Sequence, residues 1–168
     1  MAYSGKYKVK NIAKYKGDYT NVIFRSNWEK VCFKWCDQND SILEWSSEET
    51  IIPYFYEVDK RVHRYFMDLR FKTKDGKTYL VEIKPHKQTL VPKNPNKSKR
   101  YITESLTYIK NRCKWKAAES YSKDRGWHFE IWTEHTLQKM GLLPKLKPLG
   151  KLKPLAPFRK KSINRRNG

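Results

Sequence analysis

Arg64–Pro85 reads RYFMDLRFKTKDGKTYLVEIKP, and the fold turns on how this stretch pairs with itself. Tyr65, Met67, Leu69 and Phe71 alternate with polar neighbours on the way up. Tyr79, Val81 and Ile83 alternate on the way down, with Lys74-Asp75-Gly76 between them. A period of two on both sides of a Gly-containing turn predicts a β-hairpin. The turn sets the register. A two-residue Asp75-Gly76 turn pairs Lys74 with Lys77 and puts Asp68 opposite Ile83, on the other face from Glu82. A three-residue loop with Gly76 in the left-handed conformation forms a type I turn plus bulge and pairs Thr73 with Lys77. Asp68 then faces Glu82 with β-carbons roughly 5 Å apart, and Lys84 shares their face.

Two carboxylates that close repel unless a cation holds them. Oxygen ligands suit a hard divalent ion such as magnesium, whose chemistry here is to polarise a phosphodiester and hold the attacking water. Lys84 is placed to orient that water or to stabilise developing phosphate charge. The three-residue register therefore predicts a metal-dependent phosphodiesterase site at Asp68, Glu82 and Lys84.

Composition narrows the substrate. The chain has 168 residues and a formal net charge of +20, enough length for one core and far more positive charge than a small domain needs for solubility. A polyanion is implied, nucleic acid before an anionic membrane surface, and double-stranded DNA is the expected partner of the site above. No long apolar or signal-like stretch argues for a membrane. Six Trp and eleven Tyr fit a folded core. Cys32, Cys36 and Cys113 are an odd set without Cys-x-x-Cys spacing, which fits reduced, buried thiols and not a zinc site.

Around the hairpin the chain divides into three parts. Residues 1–19 carry Lys6, Lys8, Lys10, Lys14 and Lys16 with no acid before Asp18, and are expected as an extended basic arm on DNA backbone. Residues 20–141 form the predicted mixed α/β domain. Ser26-Asn27-Trp28-Glu29 is a capping box opening a helix with an apolar stripe at Trp28, Val31, Cys32 and Trp35, so Glu29 has a purely local role to fill. Residues 42–45 and 50–55 read as strands, with Pro53 favouring an edge. The joining Glu48 and Glu49 fit surface ion pairs.

Residues 86–99 form a long Pro/Asn/Lys loop leaving the site. Its Lys87, Lys93, Lys97 and Lys99, together with Arg100 and with Arg25 before the first helix, are candidate DNA contacts. Residues 100–123 predict a helix with Ile102, Leu106, Ile109, Cys113, Ala117 and Tyr121 facing inward. A strand at 127–132 after that helix implies a crossover into the same sheet, flanked by helices, and a short helix follows over 134–140. From residue 142 onward there are nine Lys/Arg and no acid. Lys145-Leu-Lys147-Pro-Leu repeats as Lys151-Leu-Lys153-Pro-Leu, and Arg159, Lys160 and Lys161 follow. Prolines resist helix, so residues 142–168 are expected as an extended tail that binds DNA, a protein assembly, or both.

Asp68, thirteen residues, then Glu82-Ile83-Lys84 resembles the PD-(D/E)xK nuclease superfamily, with Met67 where proline is usual. Residues Phe24–Glu29 resemble the helix that supplies an upstream glutamate in transposon-end endonucleases and phage Holliday-junction resolvases. Residues 1–143 resemble the head completion nucleases of T4-like tailed phages. The matching stretches are Arg25–Lys30, Ile52–Phe55, Arg64–Asp68, Thr73–Gly76, Val81–Pro85 and Ile131–Glu134. The resemblance implies a restriction-endonuclease-like fold and an endonuclease acting after DNA packaging, in the host cytoplasm during assembly and at the head-to-tail junction of the virion. Portal or neck proteins are the implied partners, in a dimer or an assembly-dependent oligomer. It also implies that Asp68, Glu82 and the Ile83 carbonyl hold magnesium or manganese, that Glu29 joins the site, and that Lys116 contacts phosphate. The competing reading is a virion structural protein that keeps the nuclease fold as a scaffold and binds DNA without cutting it.

Overall fold

The computed structural model describes residues 3–93 and 98–145. The loop residue Lys97 and the tail residues Lys147, Lys151, Lys153, Arg159, Lys160 and Lys161 lie outside the described residues. The elements in order are β1 (Gly5–Lys6), β2 (Ile23–Phe24), α1 (Asn27–Gln38), β3 (Ile42–Ser46), β4 (Ile51–Tyr56) and β5 (Arg61–Phe66). They are followed by β6 (Leu69–Thr73), β7 (Thr78–Ile83), α2 (Lys99–Asp124), β8 (His128–Trp132) and α3 (Glu134–Lys139). A central sheet of order β3-β6-β7-β8 carries helices on its faces. Its first two pairings are antiparallel, and the last, β7 with β8, is parallel. The parallel pair is the expected consequence of α2 crossing over between them. Among the described residues no helix is long and apolar enough to cross a membrane.

The hairpin takes the three-residue loop. Leu69 pairs with Val81, Phe71 with Tyr79 and Lys72 with Thr78. The Thr73 N–H donates to the Lys77 carbonyl at 2.9 Å, and Gly76 has φ +84°. Only glycine takes that φ without strain, so the turn residue permits the register that brings Leu69 opposite Val81 and leaves Asp68 just beyond the paired residues.

The ascending side differs from the expectation of one continuous strand. It breaks at Met67-Asp68. Before the break, β5 pairs with β4 in a separate two-stranded ribbon, with Pro53 opposite Arg64. At the break, the Met67 N–H donates to the Thr50 carbonyl and the Met67 carbonyl accepts from the Glu48 N–H, both at 2.9 Å. Tyr65 and Met67 consequently pack with Leu80 and Ala118 on the α2 face, whereas Leu69 and Phe71 pack with Val81 and Ile83 on the α1 face. The alternation runs unbroken in sequence while the chain changes sheets.

Residues 3–19 are tied to the fold by one strand and two buried side chains. β1 pairs with β2, and Val9 and Tyr15 are buried with Phe33 and Trp45. Asp37, 0% exposed, anchors them. It accepts hydrogen bonds from the Lys10 and Asn11 backbone N–H groups at 2.7 and 2.9 Å and from the Tyr7 hydroxyl at 3.0 Å. A buried carboxylate needs such partners, and the N-terminal backbone supplies them. The side chains of Lys6, Lys8 and Lys10 remain exposed.

The inward face of α2 also differs. Asn111, Trp115, Ala118 and Ser122 are its buried residues. Ile102, Leu106 and Ile109, expected inside, are exposed, because the first three turns of α2 extend past the ribbon that covers the rest. Cys113, Ala117 and Tyr121 keep partial cover.

Candidate functional site

The site is built where the chain changes sheets. In a continued antiparallel ladder the Ile83 N–H would find the Met67 carbonyl. That carbonyl is turned to Glu48, and the Asp68 side chain takes its place, its Oδ2 accepting from Ile83 N–H at 2.8 Å. The break thus both frees Asp68 from the strand and fixes its carboxylate beside β7.

Glu82 stands on β7 only 2% exposed, and both its oxygens are engaged. Its Oε2 accepts from the Tyr65 hydroxyl at 2.6 Å, and its Oε1 meets Lys84 Nζ at 2.9 Å. Burial and the Glu82 charge push the Asp68 carboxyl well above the usual carboxylate range, with Glu29 adding to the rise. The Ile83 N–H and Lys84 pull the other way. A carboxyl whose ionisation is disfavoured by burial and by a second carboxylate beside it is an environment that a divalent cation relieves. Burial works against the Lys84 ammonium, but Glu82 beside it, with Asp68 and Glu29 beyond, raises its pKa. Lys84 is therefore charged at neutral pH.

The structure brings Asp68, Glu82, Lys84 and the Ile83 backbone together. Glu29 sits at the first turn of α1 and closes the capping box. Its Oε2 accepts from the Arg25 N–H at 2.8 Å, its Oε1 from the Ser26 hydroxyl at 3.0 Å, and its own N–H donates to Ser26 Oγ at 3.2 Å. Its negative charge nevertheless adds to the rise at Asp68 and at Lys84. Among the described residues no group of three or more His, Cys, Asp or Glu converges tightly enough to hold a metal by itself. The donor set is the Asp68–Glu82 pair, hard oxygens that fit a magnesium-like ion with water and phosphate completing its shell.

The candidate DNA contacts scatter around this centre. Arg25 pairs with Glu48 at 2.9 Å, and Arg100 with Glu104 at 3.0 Å. Lys87, Lys93, Lys99, Lys116 and Lys145 are exposed. A groove of about 780 Å³ runs between the segment after β7 and the first turns of α2, lined by Lys87, Lys93, Arg100 and Tyr101 among others. None of the three site side chains lines it. Lys116 points instead to a small hollow beside Glu57, Arg112 and Glu119.

Sequence reasoning missed two residues at the site. Tyr65 was expected as core filling, although a buried tyrosine hydroxyl needs a partner and that rule pointed to a nearby polar group. Lys114 had no signal beyond its place in a basic helix.

A family model described as "TnsA-like endonuclease N terminal" matches residues 39–134. That span holds Asp68, Glu82 and Lys84 and leaves out Glu29. A protein named "Head completion nuclease" from Enterobacteria phage T4 is 44% identical over 146 residues, covering 84% of this chain and 97% of that protein.

Proposed function

Because the chain belongs to the family of TnsA-like endonucleases and the phage T4 head completion nuclease, we propose that it is a metal-dependent DNA endonuclease of phage head completion. It acts on packaged DNA at the head-to-tail junction, through Asp68, Glu82 and Lys84. The observation that supports this assignment is the hydrogen bond from the Ile83 N–H to Asp68 Oδ2, which holds the Asp68 carboxylate beside Glu82 at the end of a hairpin whose register Gly76 permits.

The residues divide the work. Asp68 is held by the Ile83 N–H and Glu82 by the Tyr65 hydroxyl, so both carboxylates are oriented before substrate arrives, which limits reorganisation during the reaction. Asp68 and Glu82 would hold magnesium or manganese, which would supply the charge to polarise the phosphodiester and acidify a water. The Ile83 carbonyl is the third ligand in this reading. Lys84, paired with Glu82, would orient the attacking water with its ammonium and stabilise the developing negative charge on phosphate. Glu29 contributes negative charge from the end of α1. Exposed Lys6, Lys8, Lys10, Lys87, Lys93, Lys99, Arg100 and Lys116 hold the duplex by salt-sensitive backbone contacts, and Lys145 begins a basic segment that engages DNA or neighbouring head and portal proteins.

The test is cleavage of circular and linear plasmid with magnesium, manganese or chelator, comparing wild type with Asp68→Ala. Metal-dependent cutting of the circle by wild type alone is expected. Equal cutting by Asp68→Ala would move the active site elsewhere. Salt-sensitive binding without cutting by either protein would favour the scaffold reading.

A further inference from the structure

The site holds a second cation that the assignment above does not use. Lys114, just past the middle of α2, is half-buried over aromatic rings. Its Nζ lies 5.1 Å from the Tyr65 ring centre and 5.9 Å from that of Tyr54. Tyr65 is the residue whose hydroxyl holds Glu82, so Lys114 sits one side chain away from the carboxylate pair. Yet it makes no ion pair among the described residues. Glu82 is already matched by Lys84. Lys110, one helical turn earlier, repeats the arrangement over Tyr56 at 5.1 Å, so two ammonium groups line a row of tyrosines running away from the site.

An ammonium that is partly desolvated and lacks a carboxylate is an incomplete interaction. Burial lowers the Lys114 pKa, with Glu82 and Asp68 opposing and Lys84 and Lys110 adding to the fall. The aromatic faces compensate in part. An anion brought to Asp68 and Glu82 would complete it, and the anion of the chemistry proposed above is a phosphodiester.

We infer that Lys114 binds a phosphate of the strand being cut, acting beside Lys84 as the second cation of the site, with Lys110 continuing the same phosphate track. This rests on the reading of Asp68 and Glu82 as the nuclease site. Lys114 has a binding role, whereas Lys84 acts on the reacting atoms.

The experiment measures binding of a short duplex against salt in chelator, and separately the kcat and KM of cleavage, for wild type, Lys114→Met, Lys114→Arg, Lys110→Met and Asp68→Ala. Methionine keeps an apolar stem over the tyrosines, and equal melting temperatures verify folding. For Lys114→Met we expect the slope of log affinity against log salt to fall by about one, the loss of a single phosphate contact. Binding should weaken by roughly tenfold, the scale of one charged hydrogen bond, and KM should rise comparably with kcat little changed. Lys114→Arg should recover most of the slope, and Lys110→Met should change it less. An unchanged slope and KM in Lys114→Met, with Asp68→Ala inactive, would overturn the Lys114 assignment alone. A reduced slope in Lys114→Met with full cutting by Asp68→Ala would overturn the underlying site and leave Lys114 a general DNA-binding residue.

Discussion

The two faces of the central sheet are built by opposite rules. The α1 face is an aromatic and aliphatic core. Phe33, Trp45, Leu69, Phe71 and Trp132 fill it, Tyr7, Phe33 and Tyr15 surround Trp45 at ring separations of 4.8–5.9 Å, and its buried acid, Asp37, is fully matched by backbone donors. The α2 face has an acid, a lysine and a tyrosine at its centre. Its helix also buries three polar atoms without protein partners among the described residues, Asn111 Nδ2, Trp115 Nε1 and Ser122 Oγ, against one, Trp45 Nε1, on the α1 face. The first face stabilises, and the second gives up stability to hold two carboxylates in fixed positions. Unmatched polar groups inside a fold persist mainly where function requires them.

The sharpest test of this contrast is on the α2 face. Glu82→Ala should reduce metal-dependent cleavage by more than the roughly 10–100-fold that an outer-shell partner supplies, as measured on supercoiled plasmid. Asp68→Asn should also abolish cutting, yet leave the melting temperature in chelator equal or higher. The sign follows from the raised pKa. Ionised Asp68 is disfavoured in the folded chain, so its charge costs stability as pH rises through and above the ordinary carboxylate range, and asparagine removes that cost. Magnesium should then raise the melting temperature of wild type and not of Asp68→Asn. A variant that is both inactive and strongly destabilised would break the contrast.

The mirror experiment is Trp45→Ala on the α1 face. Removing a fully buried indole should cost roughly 3–5 kcal/mol, read as a large fall in urea midpoint. Cleavage per folded molecule should stay near wild type, since no site residue touches Trp45. Asp37→Ala comes next. It strips the acceptor from two backbone N–H groups and the Tyr7 hydroxyl and should cost roughly 1.5–3 kcal/mol. Faster hydrogen exchange should be confined to the first twenty or so residues at the low-stability end of the fold.

How legible all this is from sequence depends on which interactions are local. The hairpin register follows from three consecutive residues, because Gly76 alone among them takes φ +84° without strain. The capping box at Ser26 and Glu29 and the crossover through α2 are similarly local or topological. The break at Met67 is different. Residues 65, 67, 69 and 71 are all buried, so the pattern is the same whether one face or two are being filled, and only the partners of Met67 decide. The inward face of α2 is hidden for a related reason. The residues it buries include Asn111 and Ser122, while Ile102 and Leu106 are left outside, which inverts the hydrophobic signal that periodicity relies on. Asp37 resembles any polar helix end until the N-terminal backbone is seen to wrap it.

The finest test concerns Glu29, where the two kinds of role meet in one side chain. As a cap it needs only acceptor oxygens for the Arg25 N–H and the Ser26 hydroxyl, and glutamine serves a capping box as well as glutamate does. As a member of the site it needs negative charge, because what reaches Asp68 and Lys84 is its field and not a hydrogen bond. Glu29→Gln should therefore change stability by only a few tenths of a kcal/mol, the scale of an exposed helix-end charge, while lowering cleavage by about tenfold, the lower end of an outer-shell effect. Ser26→Ala supplies the converse, since it removes the hydroxyl that accepts from the Glu29 N–H and leaves the charge in place. It should cost about 1 kcal/mol and cut normally. If Glu29→Gln also cuts normally, α1 is purely structural at this end and the chemistry rests on the hairpin alone.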